Sequence, residues 1–176
     1  MTPRLAAWLV LVLCLLPASA LATTPPDTSA LHFGGFRAGA RLAELDVVVR
    51  RHGGRLRCER SKQDSRVSEC RGSVSDSVVG PIHVWVSAMD SAAGVITLSA
   101  GLDSSALDGW RRELERRYGQ VPAKKQGGQS MLQWVRRGRM LRLTWRTERG
   151  ELTASVSLVD GRVLDAWGAN RAIGSS

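Results

Sequence analysis

Apolar and polar positions alternate most regularly in the last third of the chain, and a period of two predicts strands. Leu132 and Trp134 alternate with Met131, Gln133 and Val135 over 131–136, and Leu141, Leu143 and Trp145 alternate with Met140, Arg142, Thr144 and Arg146 over 139–146. A turn at Gly138 joins them. Pairing Arg136 with Arg139 sets Trp134 against Leu141 and Leu132 against Leu143. After a second turn over 147–150, pairing Arg146 with Glu151 sets Trp145 against Leu152, Leu143 against Ala154 and Leu141 against Val156. One register gathers every large apolar residue on one side, and a slip of one residue would expose them all. The expectation is a three-stranded antiparallel meander. Its other side carries Gln133, Met140, Arg142, Thr144, Arg146, Thr153 and Ser155, and is polar and locally basic.

The same pattern recurs upstream. Ile82, Val84, Val86 and Ala88 face one way on one strand, Ile96, Leu98 and Ala100 answer on the next, and 90–94 is the turn. Trp85 falls on the opposite side from Val84 and Val86, near His83, Ser87 and Met89. Two helices are predicted. The first runs over about 41–52, with Leu42, Leu45 and Val49 at helical spacing and Gly53-Gly54 as its stop. The second spans 104–118, with Leu107, Trp110, Leu114 and Tyr118 as its stripe, Gly119 as its stop and Pro122 beyond. Residues 32–36 suggest a short first strand, 123–130 a flexible basic loop, and 23–31 a loose Thr- and Pro-rich leader. After Asp160-Gly161 the chain turns into a further strand or starts a short helix through Val163, Leu164 and Trp167; Asp160 as a cap favours the helix.

The first residues change where this domain is expected to work. Arg4 precedes an unbroken apolar run over 5–16, Pro17 ends it, and small residues follow at 18–22, the three-part pattern of a secretory signal peptide. Twelve apolar residues fall short of the ~20 that a membrane-spanning helix needs. Cleavage after Ala20 or Ala22 fits the small residues, with Ala22 favoured. The expected mature chain has 154 residues: the 23–31 leader, one domain over 32–170 (with possible halves 32–101 and 102–170) and a 171–176 tail. Cleavage removes one base and no acid, so the net charge falls from +9 to +8. A periplasmic or extracellular location directs that charge away from intracellular nucleic acid and toward anionic envelope partners.

Processing also removes Cys14, which leaves Cys58 and Cys70. An even count in an exported chain reads as a disulfide. Residues 55–60 and 66–71 form two strand-like stretches about a turn at Asp64, and folding there sets Cys58 opposite Cys70. The same register sets Glu59 opposite Glu69, which is unfavourable, so a bulge that shifts the pairing is an alternative.

The two helices end alike, in Val49-Arg50-Arg51-His52-Gly53 and Glu115-Arg116-Arg117-Tyr118-Gly119, and antiparallel strands follow each. The expected fold class is α+β, with antiparallel meander sheet or sheets packed on two main helices, in two pseudo-repeated halves if the similarity is structural. In this layout, a helix, a glycine and a disulfide-bearing meander repeated after an export signal, the chain resembles β-lactamase-inhibitor-like proteins and the related units of small outer-membrane assembly lipoproteins. The resemblance implies a non-enzymatic, protein-binding role and assigns no binding residue; the lipobox of the lipoprotein branch is missing.

Catalytic chemistry has little to attach to. His32, His52 and His83 share no metal-ligand spacing, and neither a nucleophile elbow nor a phosphate-binding loop occurs. No metal or cofactor is expected. The leading reading is an envelope protein-binding module of inhibitor or assembly type. The second is a module that binds anionic envelope polymer or lipid through Arg137, Arg142, Arg146, Lys124 and Lys125. An enzyme is third. Trp110, Trp134 and Trp145 point inward by periodicity, which leaves Trp85 as the aromatic candidate for a contact surface.

Overall fold

The alternating stretches become strands of one large sheet. The computed structural model describes residues 30–173; the expected signal peptide at 1–22, most of the leader and residues 174–176 lie outside the described residues. β1 (His32–Phe33) and β2 (Phe36–Arg37) form a small hairpin, and α1 (Leu42–Arg51) follows. A meander of β3 (Arg57–Arg60), β4 (Val67–Asp76), β5 (Gly80–Met89) and β6 (Ala92–Leu102) comes next. The pattern then recurs as α2 (Ser104–Tyr118) and a meander of β7 (Lys124–Gln126), β8 (Gln129–Arg136), β9 (Arg139–Glu148) and β10 (Glu151–Asp160), and α3 (Gly161–Ile173) follows. The eight meander strands form a single antiparallel sheet in the order β3-β4-β5-β6-β10-β9-β8-β7. The fold is therefore an α+β antiparallel meander, with the two meanders joined last strand to last strand.

Period-two patterning decides which face of this sheet is covered. Cys70, Val74, Val84, Val86, Ile96, Leu98, Leu132, Trp134, Leu141, Leu143, Val156 and Leu158 are all buried and belong to one core. Leu45 and Val49 of α1, and Leu107, Trp110, Leu114 and Tyr118 of α2, join the same core, so both helices lie on this face. The Asp103 side chain accepts a hydrogen bond from the Ala106 N–H and caps α2, the role for which Asp is favoured at that position. The β1–β2 hairpin is tied to α2 through Tyr118. Its hydroxyl donates to the His32 carbonyl at 2.7 Å and accepts from the His32 N–H at 2.8 Å, and Phe33 meets Trp110 edge-on at 5.0 Å.

Several expectations are corrected. Ala30 and Leu31, placed in a loose leader, are buried in the core. The short first strand is a two-stranded hairpin around Gly34-Gly35. Glu59 stands opposite Glu69 with no shift of register, since Cys58 pairs directly with Cys70 and the two form a disulfide. Residues 123–130 are the β7–β8 hairpin rather than a loop, with Gln126 opposite Gln129; three paired residues are too few to leave a readable alternation. The β9–β10 register is two residues away from the expected one. Glu148 pairs with Glu151, so Leu143 faces Val156 and Leu141 faces Leu158. The physical reason is the turn: Arg149 and Gly150 have φ of 51° and 85°, the left-handed pair of a two-residue hairpin that matches the twist of its strands. An even slip preserves the face, so the apolar side was correctly read while the partners were not. Trp145 points inward as expected and packs against the core, half-buried, with the Arg111 guanidinium 5.5 Å from its ring centroid.

α3 is the helical alternative after Asp160, and it is seated on a bulge. The β5–β6 register shifts between Ser87 and Ala88, leaving Gly94 unopposed. A Cβ on Gly94 would lie 2.9 Å from Leu164 and 3.4 Å from Val163. Asp160 anchors this end of the sheet. Its carboxylate, 2 % exposed, accepts from Arg139 Nε at 2.8 Å, from Arg162 Nη2 at 2.9 Å and from the Arg162 N–H at 3.1 Å. Burial pushes this carboxyl up, but the hydrogen bonds and charges of Arg162 and Arg139 outweigh it and hold it at about 2.

Two stability predictions follow from these ties. The folded Asp160 ionises below its ordinary value of 3.8, so its contribution is complete above that pH and is lost as pH falls toward 2. Asp160→Asn, which leaves Arg139 buried without its carboxylate, is expected to destabilise by ~3–5 kcal/mol at neutral pH. Urea midpoints measured against pH should show the two proteins converging toward pH 2; parallel curves would contradict the clasp. Reduction of Cys58–Cys70, which closes a short loop, should lower stability by ~3 kcal/mol, read as a shift of the urea midpoint with unchanged slope.

Candidate binding face

The second face of the sheet carries the side chains that alternate with the core. Strand pairing arranges them in rows that cross the sheet. One row is Arg57, Arg71, Trp85, Thr97, Ser157, Arg142 and Gln133, each the register partner of the next. The adjacent row is Ser73, His83, Ser99, Ser155, Thr144 and Met131, with Lys124 of β7 beyond. The centre of the face is therefore built from short hydroxyl side chains, and the large side chains stand on its two flanks. A trough results from residue volume alone. The central hydroxyls bond across strands: Thr144 Oγ1 lies 2.8 Å from Ser155 Oγ, and Thr97 Oγ1 lies 3.3 Å from Ser157 Oγ.

The β8–β9 flank contains half of the residues expected to bind. Arg142 Nε and Nη2 both donate to Gln133 Oε1, at 3.1 and 2.9 Å, so this guanidinium is held flat along the face. Arg146 lies on the same side and pairs with Glu148 at 3.2 Å, while Lys124 sits opposite Met131. Arg137 and Lys125 do not join them. Arg137 occupies the β8–β9 turn with φ of 47°, and Lys125 pairs with Ser130, one position out of phase with Lys124. Trp85 shares a row with Arg142 but stands three strands away, about 14 Å at the usual strand spacing. Val135, next to Met140 in register, is the most exposed apolar residue on this flank at 64 %.

The β3–β4 flank was not singled out in the sequence. Two shallow grooves adjoin there, of about 520 and 580 Å³, and Arg57 and Arg71 line both. The signal was present in the alternation of Arg55 and Arg57 next to Gly53-Gly54, but only the register shows that Arg71 stands beside them. Among the described residues no group of three His, Cys, Asp or Glu side chains could hold a metal ion, and no helix is long and apolar enough to cross a membrane. No family model, curated protein or solved structure matches the chain.

The assignment of faces has a direct test. Trp134 is buried and donates its indole N–H to the Gly119 carbonyl at 2.7 Å, so Trp134→Ala should destabilise by ~3–5 kcal/mol. Trp85 lies half-buried on the second face, opposite the one on which α1, α2 and the β1–β2 hairpin pack, and Trp85→Ala should change stability by no more than ~1 kcal/mol. Urea denaturation of both variants measures the difference, and similar losses would mean that Trp85 is core.

Proposed function

We propose that this is an exported, non-enzymatic protein-binding module of the cell envelope, which holds its partner on the uncovered face of the eight-stranded sheet. The observation that carries the reading is that α1, α2 and the β1–β2 hairpin all pack on the other face, while hydroxyls flanked by Trp85 and Arg142 remain half-exposed on this one. Trp and Arg are the residue types that most often dominate protein interfaces, and Arg142 is already oriented by Gln133, which reduces the ordering lost on contact. The helix-plus-meander layout and its resemblance to β-lactamase-inhibitor-like proteins support the same role. The disulfide is compatible with an oxidising compartment, as the apolar run over 5–16 implies.

Site-specific photo-crosslinking in cells tests this. A photoreactive residue at Ser99 or Ser155 should give the same discrete protein adduct, and one at Arg116, exposed on α2, should give none. Trp85→Ala should deplete the adduct several-fold by weakening an anchor. No adduct from either strand position, or equal adducts from Arg116, would overturn the reading.

A further inference from the structure

We infer that the β3–β4 flank contains an oxyanion site, formed by Arg55, Arg57, Arg71, Ser73 and His83, that binds phosphate groups. These residues line one groove of about 580 Å³ whose lining contains no carboxylate. The site borders the proposed protein contact at the sheet centre and shares Trp85 with it. Its geometry is imposed by backbone approach. A Cβ on Gly54 would collide with the Ser73 carbonyl oxygen, and a Cβ on Gly72 would sit 2.7 Å from the Arg55 carbonyl oxygen. The two glycines therefore let the segment entering β3 lie directly on β4. That contact places Arg55 and Arg57 beside Arg71, and Arg57 and Arg71 are direct register partners.

Like charges directly opposed across an antiparallel pair repel. Arg57 has no carboxylate partner among the described residues, and Arg71 reaches only Glu69, at 3.9 Å and in exposed surroundings. An added anion would relieve this repulsion. Guanidinium forks match the oxygens of phosphate in pairs. Ser73 and His83, register partners on the adjacent row, supply further hydrogen-bonding groups. Trp85 stands next to Arg71 and gives an apolar surface beside the anion, suited to the organic part of a phosphate ester. Glu59 and Glu69 lie in the neighbouring groove and oppose anions there, which confines the site to the Ser73 and His83 side.

The test uses the purified, oxidised protein and three probes: inorganic phosphate, soluble polyphosphate, and phosphatidylcholine vesicles containing phosphatidylglycerol. Phosphate should shift the amide resonances of Gly72 and Ser73. Arg57→Ala with Arg71→Ala should weaken phosphate binding by at least about tenfold, the loss of roughly one charged hydrogen bond. Arg57→Lys should recover only part of it, because the charge returns without the fork. Arg142→Ala with Arg146→Ala, on the other flank, should leave phosphate binding unchanged. Vesicle binding that depends on Arg57 and Arg71 would assign the phosphate to lipid headgroups, and polyphosphate binding without vesicle binding would assign it to soluble esters or polymers. Equal losses from the two double variants would reduce the effect to net charge and overturn the site, as would the absence of binding to all three probes. Arg57 and Arg71 are exposed, so near-ultraviolet circular dichroism should show both variants folded.

Discussion

The seam between β6 and β10 is the contact on which the rest of the molecule depends. Each meander taken alone would end in a long strand with one unpaired edge and an apolar face only four strands wide. Pairing Leu102 with Leu152 through Val95 with Val159 closes both edges at once. On the core side the seam stacks Leu98 with Val156 and Ile96 with Leu158, all buried, so the two halves share one core rather than touching as neighbours. On the other side the same seam contributes Thr97, Ser99, Ser155 and Ser157. These side chains are small enough to leave a trough, and their hydroxyls bond across strands. The centre of the surface is thereby wetted, while the next row of the same face, Val95, Val159, Met140 and Val135, is apolar.

Reading along the chain recovered what parity alone decides. Leu132, Trp134, Leu141 and Leu143 were assigned to one side and paired correctly, because a single-residue slip would have reversed them all. The β9–β10 register was legible only up to an even shift. Nothing in the alternation of Leu152, Ala154 and Val156 separates pairing Arg146 with Glu151 from pairing it with Thr153, and the left-handed pair Arg149-Gly150 made the choice. The β6–β10 pairing was not legible, since it joins segments some fifty residues apart and no local pattern encodes a partner. The burial of Ala30 and Leu31 was hidden for a related reason: two small apolar residues next to a polar leader carry no periodicity, and only the Tyr118 contact to His32 shows that the chain is anchored there.

The binding residues were legible to different degrees for the same reason. Arg142, Arg146 and Trp85 follow from strand parity, so placing them on the uncovered face required only the alternation. Arg137 and Lys125 were grouped with them by proximity in sequence, and turn geometry and strand phase separate them. The Arg55, Arg57 and Arg71 cluster needed both a hairpin register and a close backbone contact at Gly54 and Gly72, and a single sequence shows neither glycine's reason.

Four like-charged pairs stand in direct register on this sheet: Arg57 with Arg71, Glu59 with Glu69, Arg136 with Arg139, and Glu148 with Glu151. The fold answers two of them with its own groups. Arg139 is neutralised by the buried Asp160, and Arg136 donates to the Tyr118 carbonyl at 3.0 Å and lies 5.3 Å from the centroid of its ring. Glu148 is met by Arg146 at 3.2 Å. The neighbouring pairs Arg57 with Arg71 and Glu59 with Glu69 share a single contact, between Arg71 and Glu69 at 3.9 Å. Sequences that specify one structure tend to agree at every level, and residual local conflicts concentrate where the chain must act on something outside itself. The Arg57 and Arg71 pair also lines the groove toward Ser73 and His83, which has no acidic lining, so the conflict and room for an anion coincide at the same residues.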